Sequence, residues 1–196
     1  MENRDVKLIS KWSTPQSGVF TISDLSVLFS NTTIANLYKK INQLVEENIL
    51  IKVMRGLYAT PNAELVNISS RICIDSYISC GHVLAQNLII GSVPAKKIQA
   101  IKVGAPRTYQ CKLGTIEHLS INPKLYFGFV KINGVNFALP EKALLDASYF
   151  YFKGRTFSFD LDTDINLDLL NVELVNKYLA EYDKRFVTFF KKTWKI

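Results

Sequence analysis

Apolar residues recur along the first sixty positions at two different spacings, and the change from one to the other organises the reading. In VKLISKW (residues 6–12), Leu8, Ile9 and Trp12 share one helical face, and STPQSG then interrupts the pattern with Pro15 and Gly18. VFT (residues 19–21) reads as a very short strand. Thr21 next opens T-I-S-D, a capping arrangement in which its hydroxyl oxygen accepts from the Asp24 N–H while the Asp24 carboxylate sits at the positive end of the helix. Ile22, Leu25, Leu28 and Phe29 follow at helical spacing and predict a second, short helix. After a turn at Ser30 and Asn31, TTIANLYKKINQLVEENI (residues 32–49) gathers Ile34, Leu37, Ile41, Leu44 and Val45 into one narrow stripe, which predicts a third and longer helix. The period then drops to two. Ile49, Ile51 and Val53 alternate with Leu50, Lys52 and Met54, and Leu57, Tyr58 and Ala59 return after Arg55 and Gly56. That is a hairpin with an arginine at its tip beside a glycine free to take a positive φ.

Helix, short helix, longer helix and hairpin is the order of a winged helix-turn-helix, and Pro61 and Asn62 close it. A second domain is expected from residue 63. ELVNISSRICI (residues 64–74) predicts a linking helix, and YISCGHVLAQNLII (residues 77–90) predicts another, with Val83, Leu84, Asn87, Leu88 and Ile90 on a broad face and Gly91 at its end. KIQAIKVG, RTYQCKLGTIEHLSI, LYFGFVKING and VNFALP are short β-rich pieces punctuated by Gly104, Pro106, Gly114, Pro123 and an Asn133–Gly134 turn. They predict a mostly antiparallel sheet. PEKALLDASYFYF (residues 140–152) should be a helix with Pro140 in its first turn and Glu141 near its positive end. LDLLNVELVNKYLAEY and the basic, aromatic KRFVTFFKKTWKI predict two closing helices. The fold class expected is therefore α+β: a winged helix-turn-helix over residues 1–62, then a mixed α/β domain over residues 63–196 with a mostly antiparallel sheet and C-terminal helices.

The chemistry of the third helix follows from its periodicity. Thr32, Asn36, Lys39 and Gln43 project opposite the apolar stripe, with Thr33 and Lys40 beside them. An amide can pair bidentately with adenine, hydroxyls serve bases or phosphates, and lysines meet phosphates. Arg55 at the hairpin tip is placed to meet a backbone phosphate or reach a minor groove. These seven residues, Thr32, Thr33, Asn36, Lys39, Lys40, Gln43 and Arg55, form the expected surface for double-stranded DNA. The net charge of +7 over 196 residues agrees with a nucleic-acid or acidic protein partner and does not choose between them.

Other classes of function find little support. A continuous apolar run of about eighteen residues, as a membrane span requires, does not occur, and MENRDVKLISKW mixes its charges rather than forming a secretion signal. Cys73, Cys80 and Cys111 make no CxxC pair, and with only His82 and His118 beside them they read as small core residues of a reduced, cytoplasmic protein without a metal or other cofactor. Asp160, Asp162, Asp164 and Asp168 suggest calcium, but an EF-hand needs glycine where Ile165 stands and glutamate where Asn171 stands. A nucleotidyltransferase pair at Asp160 and Asp162 lacks the Gly-Ser turn upstream. The aspartates are therefore assigned to a loop and to the cap of a helix. GxSxG, Walker and HExxH motifs are all absent, and an enzyme is not expected.

Several segments together resemble a known family. GVFTISDL, NTTIANLYKKINQLVEENILIKVMRGLYATP, SYIS followed by a helix, KVGAPRTYQCKLGTIEHLSI and LYFGFVKINGVNFALPEKALLD occur in the order found in the AbiEi antitoxins of AbiE-type (type IV) toxin–antitoxin systems. RGLYA and ALPEKALLD are the most specific pieces, and INLDLLNVELVNKYLAEYDKR is similar to the family's closing helical region. One departure lies after Tyr77, where the family carries a histidine-glycine pair and this chain has Gln86, Asn87 and Leu88. The resemblance implies a bacterial antitoxin whose winged helix binds inverted repeats in its own promoter. It implies equally that the second domain neutralises a cognate nucleotidyltransferase-like toxin, without a stable complex, in phage abortive infection. Two alternatives stay open: an ordinary repressor whose second domain senses a ligand or dimerises, and a magnesium nuclease using Asp160, Asp162, Asp164 and Glu141.

Overall fold

Where the amphipathic stripes predicted helices, α1 (Arg4–Ser13), α2 (Ile22–Leu28) and α3 (Ile34–Glu46) stand in the computed structural model, which describes residues 4–30, 32–93, 96–161 and 163–194. Asn31, in the expected turn, lies outside the described residues. Leu37, Ile41 and Leu44 of α3 meet Ile9, Phe20, Leu25, Phe29, Leu50 and Tyr58 in one buried cluster. Ile34 departs from the expected stripe: it is 74% exposed, because it is the first residue of α3 and projects beyond the packed turn.

Three short strands complete this core: β1 (Val19–Thr21), β2 (Ile51–Met54) and β3 (Leu57–Ala59), in the order β1-β3-β2 with both pairs antiparallel. The β2–β3 register slips between Lys52 and Met54, and Gly56 turns the hairpin with φ +80°. The Gly56 carbonyl accepts from the Ile22 N–H at 3.0 Å, which ties the hairpin tip to the start of α2. Helix α4 (Leu65–Ile72) buries Leu65, Val66, Ile68 and Ser69, and Arg71 in its last turn pairs with Asp24 of α2. The chain divides into two compact units, residues 1–73 with 109–115, and residues 74–108 with 116–196. The sequence places its boundary at 62/63, but α4 carries an apolar face that the first unit buries.

The second sheet has six strands in the order β6-β7-β5-β4-β9-β8, with β4 (Tyr77–Ser79), β5 (Lys97–Lys102), β6 (Arg107–Cys111), β7 (Gly114–Ser120), β8 (Phe129–Ile132) and β9 (Val135–Ala138). β4 runs antiparallel to β5 and parallel to β9. The expected helix over residues 77–90 is corrected here to a strand, β4, and a short helix, α5 (Gly81–Gln86), joined at Cys80 with φ +53°. Tyr77, Ile78 and Ser79 are all buried between two neighbouring strands, and such a strand shows no alternation to distinguish it from a helix.

Helix α6 (Pro140–Phe152) begins at its proline as predicted and is buried on every side from Glu141 to Ser148. The closing helix begins later than expected, as α7 (Val172–Leu179). Its cap is Asn171, whose Oδ1 accepts from the Leu174 N–H at 3.1 Å; Asp168 lies in a preceding 3-10 turn. Helix α8 (Lys184–Trp194) buries Phe186, Phe190 and Trp194. Cys80 is buried, whereas Cys73 and Cys111 are half-buried. Among the described residues the architecture is mixed α+β, with eight α-helices and two mostly antiparallel sheets. None of these helices is long and apolar enough to cross a membrane.

Candidate nucleic-acid interface

The outer face of α3 is set by what its inner face must bury. With Leu37, Ile41 and Leu44 inward, Asn36, Lys39, Asn42 and Gln43 are exposed. Thr33 precedes the helix as its N-cap, and its Oγ1 accepts from the Asn36 N–H at 3.4 Å, which leaves the hydroxyl hydrogen free to donate outward. Thr32 is half-buried just before it. Gln43 Nε2 donates to Glu47 Oε1 at 2.9 Å, one turn along the same face.

Lys40 does not join this group. Its Nζ lies 2.8 Å from Asp5 Oδ2 of α1 and 5.2 Å from the centre of the Phe29 ring, so its charge is already matched by a carboxylate. The sequence placed Lys40 beside the polar face, where the pole of the helical projection meets α1, and the partner on α1 is invisible to a projection of α3 alone. Asn42 is the reverse case: it sits between Lys39 and Gln43 on the exposed face and went unnamed, although the projection contains it. Tyr38, 46% exposed, marks the flank where α3 faces the hairpin. Burial and the neighbouring Tyr38 push the Tyr58 phenol of β3 above its ordinary value.

Arg55 is exposed at the hairpin tip, and Lys52, opposite Tyr58 in the register, is exposed on the same hairpin. The start of α2 is held by a complete capping box. Thr21 Oγ1 accepts from the Asp24 N–H at 3.1 Å, and Asp24 Oδ2 accepts from the Thr21 N–H at 2.8 Å. Burial alone would raise the Asp24 carboxyl, but the hydrogen bonds from Thr21 and the charge of Arg71 outweigh it and hold the group below its ordinary 3.8. The α2 terminus is thus capped from within the chain, while Lys39 with the amides of α3, and Lys52 and Arg55 of the hairpin, are exposed.

Neither curated proteins nor family models match the chain. Among solved structures, it is similar to the crystal structure of the RV2827C protein from Mycobacterium tuberculosis, with a TM-score of 0.51 and 12% identity over 94% of this chain and 69% of that one. At that identity the likeness concerns the fold alone. It is in keeping with the mixed α+β content described above.

The carboxylates that suggested metal chemistry are occupied otherwise. Asp164 Oδ2 accepts from the Asp160 N–H at 2.8 Å in an exposed loop, and Asp162 lies outside the described residues. Glu141 is buried and accepts from the Asn171 N–H at 3.0 Å, which anchors the start of α7. Among the described residues no three histidine, cysteine, aspartate or glutamate side chains converge as metal ligands. His82 stacks on Phe137 with ring centres 6.5 Å apart, and His118 is buried in β7, where burial first and Lys102 second lower its pKa from 6.5 to about 4.

One polar cluster went unread in the sequence. Lys142 and Asp146 of α6 form a fully buried ion pair. Tyr77 and Ser79 of β4 donate to Asp146 Oδ2 at 3.1 and 2.8 Å, and Lys142 Nζ lies 3.0 Å from the Tyr182 hydroxyl. Burial pushes the Asp146 carboxyl up, while the Lys142 charge and the three hydrogen bonds pull against it. The spacing of four between Lys142 and Asp146 in ALPEKALLD was the available signal. It reads as a surface pair until the sheet is laid over it.

Proposed function

We propose that the first unit is a winged helix-turn-helix that binds double-stranded DNA, with α3 as the helix entering the major groove and the β2–β3 hairpin as the wing. The observation that carries this reading is the succession α1, β1, α2, α3, β2, β3 with a β1-β3-β2 sheet, from which the polar face of α3 and Arg55 both project. Asn36, Asn42 and Gln43 supply base-reading amides, and Thr32, Thr33, Lys39 and Arg55 contact phosphates or, for Arg55, the minor groove. Lys40 serves the α1–α3 contact instead.

The resemblance in RGLYA and ALPEKALLD extends the reading to the whole protein: an antitoxin of the AbiEi kind that represses its own operon through promoter inverted repeats and opposes a nucleotidyltransferase-like toxin. The buried Lys142–Asp146 pair gives ALPEKALLD a structural reason to be distinctive, since the segment places both charges against β4. Two measurements test the proposal. A fragment of the chain's own promoter should be retarded in a gel at lower protein concentration than a scrambled duplex, and co-expression with the neighbouring operon gene should restore growth that this gene alone arrests. Equal retardation of both duplexes removes the repressor reading; arrest that persists removes the antitoxin reading.

A further inference from the structure

The last helix carries a charge distribution that neither DNA reading nor packing uses. Phe186, Phe190 and Trp194 are buried on one side of α8. That fixes Lys184, Arg185, Thr188, Lys191 and Lys192 on the exposed side, four cations within eleven residues. The helix contains no carboxylate. The adjoining Asp183 directs Oδ1 at the Arg185 and Phe186 N–H groups, 3.0 Å from each. Among the described residues none of these four cations is held in a salt bridge.

Aromatic surface lies beside the charge. Phe189 falls between Arg185 and Lys192 at helical spacing, and its ring is 6.3 Å from that of Tyr151, which is 43% exposed at the end of α6. Lys153, whose Nζ lies over the Tyr149 and Phe152 rings, continues the positive surface, and a cleft of about 380 Å³ is lined by Phe152, Lys153, Asp183, Lys184 and Arg185. A dense row of unmatched cations calls for a polyanion. The choice among polyanions turns on the rings: a duplex keeps its bases stacked inside and an acidic protein has none, whereas an unpaired strand offers base faces to an exposed tyrosine.

We propose that the outer face of α8, with Tyr151 and Lys153, binds an unpaired nucleic-acid strand, for which oligouridylate is the probe, the phosphates lying along Lys184, Arg185, Lys191 and Lys192 and a base stacking on Tyr151. This surface belongs to the second unit and stands apart from the duplex-DNA reading of α3.

Fluorescence anisotropy of the full chain with labelled oligouridylate tests it. The variant K184A/R185A/K191A/K192A should bind at least about tenfold more weakly, and the slope of log K against log salt should fall by about 3, as loss of four single-strand phosphate contacts requires. Tyr151→Leu should weaken binding by about tenfold through lost stacking. Lys39→Ala with Arg55→Ala should leave oligouridylate binding unchanged, which separates this surface from the proposed DNA interface. Melting temperatures certify folding, and the single exposed substitution Lys192→Glu serves if the fourfold variant fails to fold. The proposal is overturned if the folded variants bind oligouridylate as the wild type does. It is overturned equally if duplex DNA or polyglutamate competes for this face as well as oligouridylate itself.

Discussion

Asn36 and Lys39 lie three residues apart on α3, yet loss of each side chain should read differently. If the amide reads a base, Asn36→Ala should weaken binding to the operator by about 1 to 3 kcal/mol and leave non-specific duplex nearly unaffected. Lys39→Ala and Arg55→Ala should weaken binding to every sequence, each reducing the salt slope by about 0.9. Titrations of operator and scrambled DNA at several salt concentrations separate the two behaviours. Deep in the second unit, removing one charge of the Lys142–Asp146 pair strands the other, so Asp146→Leu and Lys142→Met should each destabilise by about 3 to 5 kcal/mol. The double variant K142M/D146L should lose less than either single, because the desolvation penalty of both ions disappears together. Denaturant titrations of the four proteins measure that cycle. His118 gives a pH signature of its own. Its folded pKa of about 4 lies below the ordinary 6.5, so the unfolded chain takes up a proton that the folded chain refuses. Stability should therefore fall as pH falls from about 6.5 to about 4, and His118→Gln should flatten melting temperature across that window.

Among the elements, α2 depends most visibly on a few atoms. Seven residues make a marginal helix, and its start is secured by the Thr21–Asp24 box and by Arg71 reaching from α4. Thr21→Ala should cost about 1 kcal/mol in denaturant titrations of the protein. Because the Asp24 carboxyl is held below 3.8, its contribution is present above that pH and is lost as pH falls through the lowered value, a window below that of His118. The central strand β4 makes the opposite point. Its residues Tyr77, Ile78 and Ser79 gain their ladder from β5 and β9, distant in sequence, and this non-local pairing overrides the helical pattern that begins at Tyr77. The same distant partners turn Ser79 and Tyr77 toward Asp146.

For the chain as a unit of function, the division into residues 1–73 with 109–115 and residues 74–108 with 116–196 is the basis for separating the two proposed activities. A fragment beginning near residue 63 should still restore growth against the toxin while failing to repress the promoter; growth assays beside a promoter–reporter readout score both. Retention of α4 in that fragment matters, since its buried face belongs with the first unit and α4 would be left uncovered. Starting the fragment at residue 74 removes that exposed face, while residues 109–115, which group with the first unit, stay in it.

The hydrophobic periods of the first sixty residues already contained α1, α2, α3, the hairpin and the Thr21 cap, because each depends on neighbours within about one helical turn or across a two-residue turn. The exposed side chains Asn36, Lys39, Gln43 and Arg55 followed from those periods; further along, the glycine and proline punctuation marked the strand-rich middle, and Pro140 marked the start of α6. Three features needed partners far along the chain. Lys40 leaves the polar face for Asp5, thirty-five residues away; β4 forms because β5 and β9 flank it; and the Lys142–Asp146 pair is buried because Tyr77, Ser79 and Tyr182 converge on it. Local sequence sets which face of an element is apolar. Which side chains lose contact with water, and which ions then find a partner there, is settled by packing between elements that the chain order keeps apart.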